Sequence, residues 1–307
     1  GLLHMVFHIT NLLWLTKALA LASSSLAKSG CDKEYCGNVA IPYPFGIGVK
    51  CWHDQSFAID CNDSTNPPKP FLSSIGLEVL NFSFRFESTV LVNNPVFYSN
   101  CSGRKNSAAV NLGGSPFIFS YYYNIFTAVG CNNQAVMTQD DLSTISGCKS
   151  TCGDPNTTLS PDNNCNGINC CQTAIPRNLT VFNVTWNRDW CSYAFLQVDE
   201  PGNFNLTNPF AVNSTEYVPA MLEWALNNDS KLLITPSPRD RTFYCPPFYT
   251  DYTRLYCYCR HGYDGNPYLP KGCHVHKLIK PIPEESQQTY QTKTGRNQYR
   301  KLKKIGN

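Results

Sequence analysis

The sequence predicts a β-rich fold made of disulfide-stapled extracellular modules, and three observations lead to that prediction. The 307 residues contain 16 cysteines, an even number, and nine Asn-x-Ser/Thr sequons. The apolar residues come in short runs, several alternating with polar residues, and Gly, Pro and Asn interrupt them. Paired cysteines and N-glycosylation both belong to the secretory pathway. Alternation with a period of two is typical of half-buried strands.

All the cysteines are expected to be oxidised. The adjacent residues Cys170 and Cys171 should bond to two different partners, because neighbouring cysteines can close on each other only with strain. Spacing alone leaves the connectivity open. The predicted disulfide cysteines are Cys31, Cys36, Cys51, Cys61, Cys101, Cys131, Cys148, Cys152, Cys165, Cys170, Cys171, Cys191, Cys245, Cys257, Cys259 and Cys273.

The sequons predict N-linked glycans. Two of them lie in the alternating segment 178–186, so one face of that segment should meet solvent and glycan. The predicted glycosylation sites are Asn62, Asn81, Asn100, Asn156, Asn178, Asn183, Asn205, Asn213 and Asn228.

Residues 1–27 are predicted to be a signal peptide. They contain the apolar runs LLWL and ALALA with Lys17 between them, and Ser25-Leu26-Ala27 has the small-x-small pattern of a cleavage site. We therefore expect cleavage after Ala27 and a secreted product.

Strands are predicted where apolar and polar residues alternate. In segment 77–92, Leu80, Phe82, Phe84 and Phe86 alternate with polar neighbours, which predicts one buried face and one solvated face. The other predicted strand segments are 178–186 and the aromatic run SPFIFSYYYNIF at 115–126.

One short helix is predicted near 219–228. Pro219 suits the first position of a helix, the letters AMLEWALN are good helix formers, and Asn227-Asn228 can end the helix.

Four segments are expected after the signal peptide. Segment 28–134 has the longest strand patterns, and segment 135–240 is dense in cysteine. The connector ITPSPRDR at 234–241 leads to the next segment. Segment 241–273 holds the last four cysteines. Segment 274–307 is polar and basic, so we expect a disordered tail.

The net charge of +3 does not indicate a nucleic-acid-binding protein. Segment 274–307 holds eight Lys/Arg and two Glu, whereas 28–273 has 16 basic and 20 acidic residues, a net charge of −4. A membrane span is not predicted either. Segment 106–139 has no charged residue but is rich in Asn, Ser and Gly, and a span needs about 20 mostly apolar residues.

A catalytic site is not predicted. Only His53 and His261 fall between the signal peptide and the tail, there is no G-x-S-x-G motif, and bonded cysteines leave no thiolate. Asp140 and Asp141 are adjacent, but sequence neighbours more often point apart than act as an acid pair. We interpret the chain as a non-enzyme without a cofactor.

Two pairs of closely spaced cysteines, Cys148-x3-Cys152 and Cys257-x-Cys259, could bind a metal ion instead of forming disulfides. Zinc sites pair such knuckles in reducing compartments, and this chain carries nine sequons. Disulfides are therefore favoured, and no metal site is predicted.

Binding is the function class that remains. Several aromatic residues have faces of the kind that stack on sugar rings, although most aromatic side chains of a β-rich protein lie in its core. The candidate ligand-stacking residues are Tyr43, Trp52, Tyr121 and Tyr123, and Phe45, Tyr122 and Trp186 accompany them.

The segment CGNVAIPYPFGIGVKC (36–51) resembles the opening of the galacturonan-binding domain of plant wall-associated receptor kinases. CRHGYDGNPYLPKGC (259–273) resembles the end of the family's EGF-like module. Between them, motifs similar to the family's follow in order: NIFTAVGC (124–131), SGCKSTC (146–152), CNGINCCQTAIP (165–176), CSYAFL (191–196) and VPAMLEWAL (218–226).

The resemblance implies a domain order. It assigns a galacturonan-binding domain to 28–134, a wall-associated-kinase-type cysteine-rich domain to 135–240 and an EGF-like module to 241–273. Only four cysteines follow Trp224, fewer than the family carries, so the EGF-like module is expected to be degenerate. Without the family's transmembrane helix and kinase, the chain is expected to be a truncated or secreted relative.

The function implied by the resemblance is non-catalytic binding of pectin, a galacturonate-rich polysaccharide of the plant cell wall. Its carboxylates suit Arg and Lys side chains, and calcium is the alternative, as a bridge to pectate. Arg104-Lys105, beside the uncharged tyrosine-rich stretch, is the favoured pair. The rival hypothesis is a secreted module that binds a peptide or co-receptor. The candidate cations are Lys50, Lys69, Arg85, Arg104 and Lys105.

Overall fold

The computed structural model divides the chain into a compact unit that runs through His274 and a second unit, 275–307. Of the second unit only Val275 is described, and of the predicted signal peptide only Leu26 and Ala27. The structure describes residues 26–84, 88–103, 109–139, 141–152, 165, 167–187, 191–199, 216–227, 242–248 and 251–275.

The described residues form β-strands and one short 3-10 helix, Gln55–Phe57, which confirms the predicted β-rich class. The strands are β1 (Tyr35–Cys36), β2 (Val39–Ala40), β3 (Ile59–Asn62), β4 (Lys69–Leu72), β5 (Leu77–Ser83), β6 (Thr89–Pro95), β7 (Phe97–Ser99), β8 (Phe117–Phe119), β9 (Asn124–Val129), β10 (Gln134–Thr138), β11 (Thr144–Lys149), β12 (Cys170–Ala174), β13 (Asn183–Trp186), β14 (Ser192–Val198), β15 (Tyr217–Trp224), β16 (Leu226–Asn227), β17 (Phe243–Tyr244), β18 (Pro247–Phe248), β19 (Asp251–Leu255), β20 (Tyr258–Cys259), β21 (Tyr263–Gly265) and β22 (Cys273–Val275).

The largest sheet has six strands in the order β3-β4-β5-β6-β15-β8, and its paired neighbours are antiparallel. β15 lies between β6 and β8, although it follows them by more than 90 residues. The sheet therefore joins strands from the predicted segments 28–134 and 135–240.

The helix predicted at 219–228 is wrong, because this segment forms β15 and β16. β15 pairs with β6 along one edge and with β8 along the other, so sheet pairing outweighs the helix propensity of its Ala, Met and Leu residues. Pro219 lies opposite Asn93, outside the stretch shared with β8, an edge position that proline tolerates. The period-two signal is in the buried residues Val218, Ala220, Leu222 and Trp224.

The alternation predicted along 77–92 is interrupted in β5. Leu77 and Val79 are buried, but the β5–β6 register shifts between Val79 and Asn81. Leu80 is therefore only half-buried, and Phe82 packs against the core beyond the shift. A bulge of this kind moves one strand by one residue relative to its partner.

A second sheet, in the order β12-β9-β14-β7, packs against the first. Two buried asparagines connect the sheets. The amide of Asn94 on β6 donates to the carbonyl of Leu196 on β14 over 3.1 Å. Asn124 at the start of β9 accepts from the Met221 N–H at 2.8 Å and donates to the Met221 carbonyl at 2.7 Å.

An aromatic cluster fills the core beneath segment 36–51. The ring of Phe45 lies 5.2 Å from that of Phe57 and 5.2 Å from that of Trp224, edge-on in both cases. Tyr268 lies 5.2 Å from Trp224. These four side chains are buried and come from three predicted segments, so one core holds all three together.

The smaller sheets are β11-β10-β13, β16-β19-β18, β1-β2, β17-β20 and β21-β22. The last of these extends into the predicted tail. His274 and Val275 continue β22, so the prediction of a disordered tail from residue 274 is wrong for these two residues. The prediction for 276–307 lies outside the described residues.

All 16 cysteines are paired, as predicted. The prediction that Cys170 and Cys171 bond to different partners is confirmed. The eight disulfides are Cys31–Cys51, Cys36–Cys61, Cys101–Cys191, Cys131–Cys152, Cys148–Cys171, Cys165–Cys170, Cys245–Cys257 and Cys259–Cys273.

Candidate functional site

The loop 46–55 begins where the proline-rich part of segment 36–51 ends, and glycine gives it its shape. A Cβ atom on Gly46 would lie 2.3 Å from the Cys51 carbonyl oxygen, so a side chain does not fit there. Gly48 has a φ of +91°, in the left-handed region that favours glycine, and its carbonyl accepts from the Cys51 N–H at 3.2 Å. The chain therefore turns back on itself over residues 48–51, which brings Cys51 close to Gly46.

Prolines and disulfides hold the base of the loop. The Pro44 carbonyl accepts from the His53 N–H at 2.9 Å, and the Cys31–Cys51 bond ties the far end of the turn to the preceding segment. Phe45 is fully buried beneath it. At the tip, Val49 is 80% exposed and Lys50 is exposed. The loop therefore has a core-facing base and a solvent-facing tip.

Two lysines meet at this tip. The ammonium group of Lys28, an exposed residue, donates to the Lys50 carbonyl over 3.3 Å. Trp52 and His53 are half-buried next to them in the chain, and Trp52 packs against the core. We call Lys28, Lys50, Trp52 and His53 the loop-tip cluster.

The pKa of His53 reports the electrostatics of the cluster. Burial lowers it below the usual value for histidine, the Asp54 carboxylate raises it, and the Lys28 ammonium lowers it. Asp54 also accepts from the Ser56 N–H at 2.8 Å, which caps the 3-10 helix. The cluster thus combines exposed ammonium groups, which suit an anion, with a half-buried indole.

Lys50 and Trp52 are the sequence-predicted candidates that the structure brings to this loop. Tyr43 is only 8% exposed and packs in the core, where burial raises the pKa of its phenol. The prediction that its ring faces a ligand is therefore wrong. Lys69 is already paired, since its ammonium lies 3.0 Å from the Glu78 carboxylate.

Tyr121 and Tyr123 belong to a different surface feature. Both are half-buried. The guanidinium of Arg177 lies 4.8 Å from the ring centroid of Tyr121, and the ring of Tyr122 lies 4.9 Å from that of Tyr123. The remaining candidate cations, Arg85, Arg104 and Lys105, lie outside the described residues.

Sequence reasoning missed Lys28, His53 and Arg177 as neighbours of candidate residues. Lys28 immediately follows the predicted cleavage site and carries no motif. The structure also packs the two residues before it, since Ala27 is buried and the Leu26 carbonyl accepts from the Tyr43 N–H at 2.9 Å. Cleavage after Ala27 would remove that contact.

Five of the predicted glycosylation sites fall within the described residues. Asn62, Asn81, Asn100 and Asn178 are exposed, and Asn183 is half-buried. The remaining sites, Asn156, Asn205, Asn213 and Asn228, lie outside the described residues.

The described residues hold no group of three His, Cys, Asp or Glu side chains arranged to bind a metal ion. None of the helical structure among these residues could span a lipid bilayer. Of the adjacent aspartates, Asp140 is not among the described residues. Asp141 accepts from the Ser143 N–H at 2.9 Å, and its hydrogen bonds with Ser143 lower its pKa, as in an exposed turn.

Two family models match the chain. One described as "Wall-associated receptor kinase galacturonan-binding" matches residues 31–94, which include the loop 46–55. One described as "Wall-associated kinase" matches residues 162–232. No solved structure matches the chain.

Curated proteins of Arabidopsis thaliana are similar over most of the chain. Wall-associated receptor kinase-like 6 is 32% identical, over 88% of this chain and 49% of the relative. Wall-associated receptor kinase-like 3 is 32% identical, over 88% of this chain and 42% of the relative. Wall-associated receptor kinase 2 is 29% identical, over 85% of this chain and 37% of the relative. The chain thus spans less than half the length of these relatives.

Proposed function

The chain carries an ectodomain of the wall-associated receptor kinase family, and we propose that this ectodomain binds galacturonate-rich pectin without catalysing a reaction. One observation carries the proposal. The segment that matches the galacturonan-binding model, 31–94, contains the loop 46–55, which has Lys50 at its exposed tip and half-buried Trp52 and His53 beside it. The ammonium group of Lys28 joins them by donating to the Lys50 carbonyl.

The charge of the polymer supports a local site rather than general attraction. A pectate chain is anionic and segment 28–273 has a net charge of −4, so binding requires a place where cations outnumber carboxylates. Electrostatic attraction reaches only about 8 Å at physiological salt. Lys28 and Lys50 add two positive charges at the loop, against the neighbouring Asp54 carboxylate.

Each group of the loop-tip cluster has a role in this proposal. The ammonium groups of Lys28 and Lys50 bind the carboxylates of neighbouring galacturonate units. The indole of Trp52 offers an apolar face to a sugar ring. The disulfide Cys31–Cys51 holds the loop in shape before the ligand arrives, which lowers the entropy cost of binding.

The setting of the proposed activity is the cell wall. Eight disulfides and exposed sequons support passage through the secretory pathway. Calcium remains part of the proposal as a bridge between pectate and protein oxygens. The following experiment also tests the rival hypothesis. If the chain does not bind the polysaccharide, binding of a peptide or co-receptor is favoured instead.

The experiment measures retention of the full secreted chain on immobilised polygalacturonate, with and without a calcium chelator. The double variant Lys28→Ala/Lys50→Ala should bind about tenfold more weakly, because two charge-assisted contacts are lost. The matched control is Lys149→Ala, which removes an exposed lysine from β11 and should leave retention unchanged.

Three outcomes would change the conclusion. If the double variant binds as well as the unmodified chain and chelator abolishes binding, the loop-tip cluster is not the site and the calcium bridge is. If neither the double substitution nor the chelator weakens binding, both accounts are wrong. If the unmodified chain is not retained at all, pectin binding itself is rejected.

A further inference from the structure

The C-terminal module carries a second alternation that separates its cysteines from its aromatic residues. In the run Tyr256, Cys257, Tyr258, Cys259, Arg260, every second residue is a cysteine. Cys257 is fully buried, and both cysteines are bonded. Tyr258 and Cys259 form β20, so their side chains point to opposite faces, and Arg260, two residues after Tyr258, follows on the Tyr258 face. Tyr256 precedes the strand, where its ring lies beside that of Tyr258 and also packs against Phe248.

That face is continuous with Tyr244 on the neighbouring strand. Tyr244 on β17 lies directly opposite Tyr258 on β20, with ring centroids 5.9 Å apart. The ring of Tyr256 lies 6.2 Å from that of Tyr258 at an interplanar angle of 32°. The guanidinium of Arg260 lies 5.3 Å from the centroid of Tyr244. We call Tyr244, Tyr256, Tyr258 and Arg260 the tyrosine row.

The row is partly open to solvent although it is made of large aromatic side chains. Tyr244 is 44% exposed, Arg260 is exposed, and Tyr256 and Tyr258 are half-buried. Disulfides stabilise β17 and β20. Cys245–Cys257 links the residue after β17 to the residue before β20, and Cys259–Cys273 links β20 to β22. A rigid aromatic face of this kind loses little conformational entropy when a ligand covers it.

Arg260 brings an available positive charge to one end of the row. Its Nε–H donates to the Phe243 carbonyl at 3.2 Å, which fixes the guanidinium plane. This hydrogen bond does not use the terminal N–H groups of the guanidinium. Within the described part of the chain, Arg260 forms no ion pair. Asp251, an acidic residue of the same module, accepts hydrogen bonds from Thr253 instead.

We propose that the tyrosine row binds a uronate unit of an acidic polysaccharide, with sugar rings stacked on the tyrosines and a carboxylate held by Arg260. The proposal rests on the pectin-binding function proposed above and adds a second contact on the same polymer. Tyrosine supplies an apolar face and a hydroxyl edge, and guanidinium matches a carboxylate with two parallel hydrogen bonds. A protein that contacts one polysaccharide molecule at two sites binds long polymers with a higher apparent affinity than short ones.

The test combines substitutions with a control from the same module. Arg260→Gln and Tyr258→Ser should each weaken retention of the full chain on polygalacturonate by about tenfold. Tyr252→Ser is the matched control, because Tyr252 is a 79% exposed tyrosine of β19 outside the row, and it should bind like the unmodified chain. Lys28→Ala/Lys50→Ala is assayed in parallel.

A direct readout separates this inference from the function on which it rests. Galacturonate tetramer, added to the unmodified chain, should shift the NMR signals of the Arg260 Nε–H and the Tyr258 ring, and a neutral galactose tetramer should leave the Arg260 signal in place. A glutamate-rich peptide that shifts these signals when the uronate does not would show that the row recognises acidic protein and would overturn the proposal.

The retention data divide the remaining cases. If Lys28→Ala/Lys50→Ala loses binding while Arg260→Gln and Tyr258→Ser keep it, the tyrosine row is rejected and the proposed function stands. If the row variants lose binding while the lysine variant keeps it, the row is supported and the loop-tip cluster is rejected. If the unmodified chain neither binds polymer nor shows the tetramer shifts, both proposals are rejected.

Discussion

The side-chain amide of Asn266 donates a 2.6 Å hydrogen bond to the backbone carbonyl of Tyr43, from a position 223 residues further along the chain. Both residues are buried. The oxygen of the same amide accepts from the Tyr268 N–H at 2.9 Å. One asparagine therefore joins the C-terminal module to the segment from which the candidate loop emerges.

Replacing Asn266 by Ala is expected to destabilise the whole described unit. The substitution leaves the Tyr43 carbonyl buried without its partner, which costs about 1–3 kcal/mol. The urea midpoint, measured with disulfides intact, should fall while the slope of the transition stays the same.

Asn187→Ala is the control for this prediction. Asn187 also accepts from a backbone N–H, that of Gln134 at 2.9 Å, but it is exposed, so water replaces the lost partner. A midpoint for Asn266→Ala that equals that of Asn187→Ala would mean that the Asn266–Tyr43 bond does not hold the module in place.

Tyr268 makes a second connection of the same kind. Its hydroxyl accepts from the Cys257 N–H at 2.8 Å and lies 2.6 Å from the Ser88 hydroxyl. The ring is buried among Phe84 and Trp224, and burial raises the pKa of the phenol. The hydroxyl therefore acts as a neutral hydrogen-bonding group inside the core.

Tyr268→Phe removes this group without removing the ring. We expect a loss of about 1–3 kcal/mol, because the buried Cys257 N–H loses its acceptor. Ser88→Ala should cost less, since the Tyr268 hydroxyl still accepts from Cys257. The test is to measure urea denaturation curves of both variants and of the surface control Tyr252→Phe. An equal loss of unfolding free energy in all three variants would contradict the prediction that the Tyr268 hydroxyl stabilises the core.

The fold class and the oxidised state of the cysteines were predictable from the sequence because both depend on residue type and spacing. Segment 219–228 was not, because its helix-forming residues also alternate with period two, and long-range pairing with β6 decided the outcome. The shift at Leu80 in β5 has no local signal either, since it depends on the register of a neighbouring strand.

The candidate site was predictable only in part. Lys50 and Trp52 stand out because they lie inside a recognisable segment, whereas Lys28 reaches the same loop through a contact across 22 residues. The conformation of segment 36–51 turns the side chain of Tyr43 inward, and an isolated aromatic letter does not show which way its ring points. Sequence shows which chemistry is present, and the fold decides which of it meets solvent.

His53 provides a pH-dependent test of the loop. Burial holds its pKa below the usual value, so near pH 6.5 the unfolded chain binds more protons than the folded one. The contribution of His53 to stability is therefore present above the unfolded pKa and is lost as the pH falls towards the folded pKa. His53→Gln should make the urea midpoint less sensitive to pH in this window than that of the unmodified chain, and an equal sensitivity would contradict the prediction.

The same histidine reports whether Lys28 lies at the loop tip. Removing the ammonium in Lys28→Ala takes away a charge that disfavours the imidazolium, so the pKa of His53 should rise. Asp54→Asn keeps an oxygen to cap the 3-10 helix but removes a favourable charge, so the pKa should fall. Both shifts are read from the imidazole signals in an NMR titration. An unchanged or lower pKa in Lys28→Ala would separate Lys28 from His53, and the loop-tip cluster would lose one of its two cations.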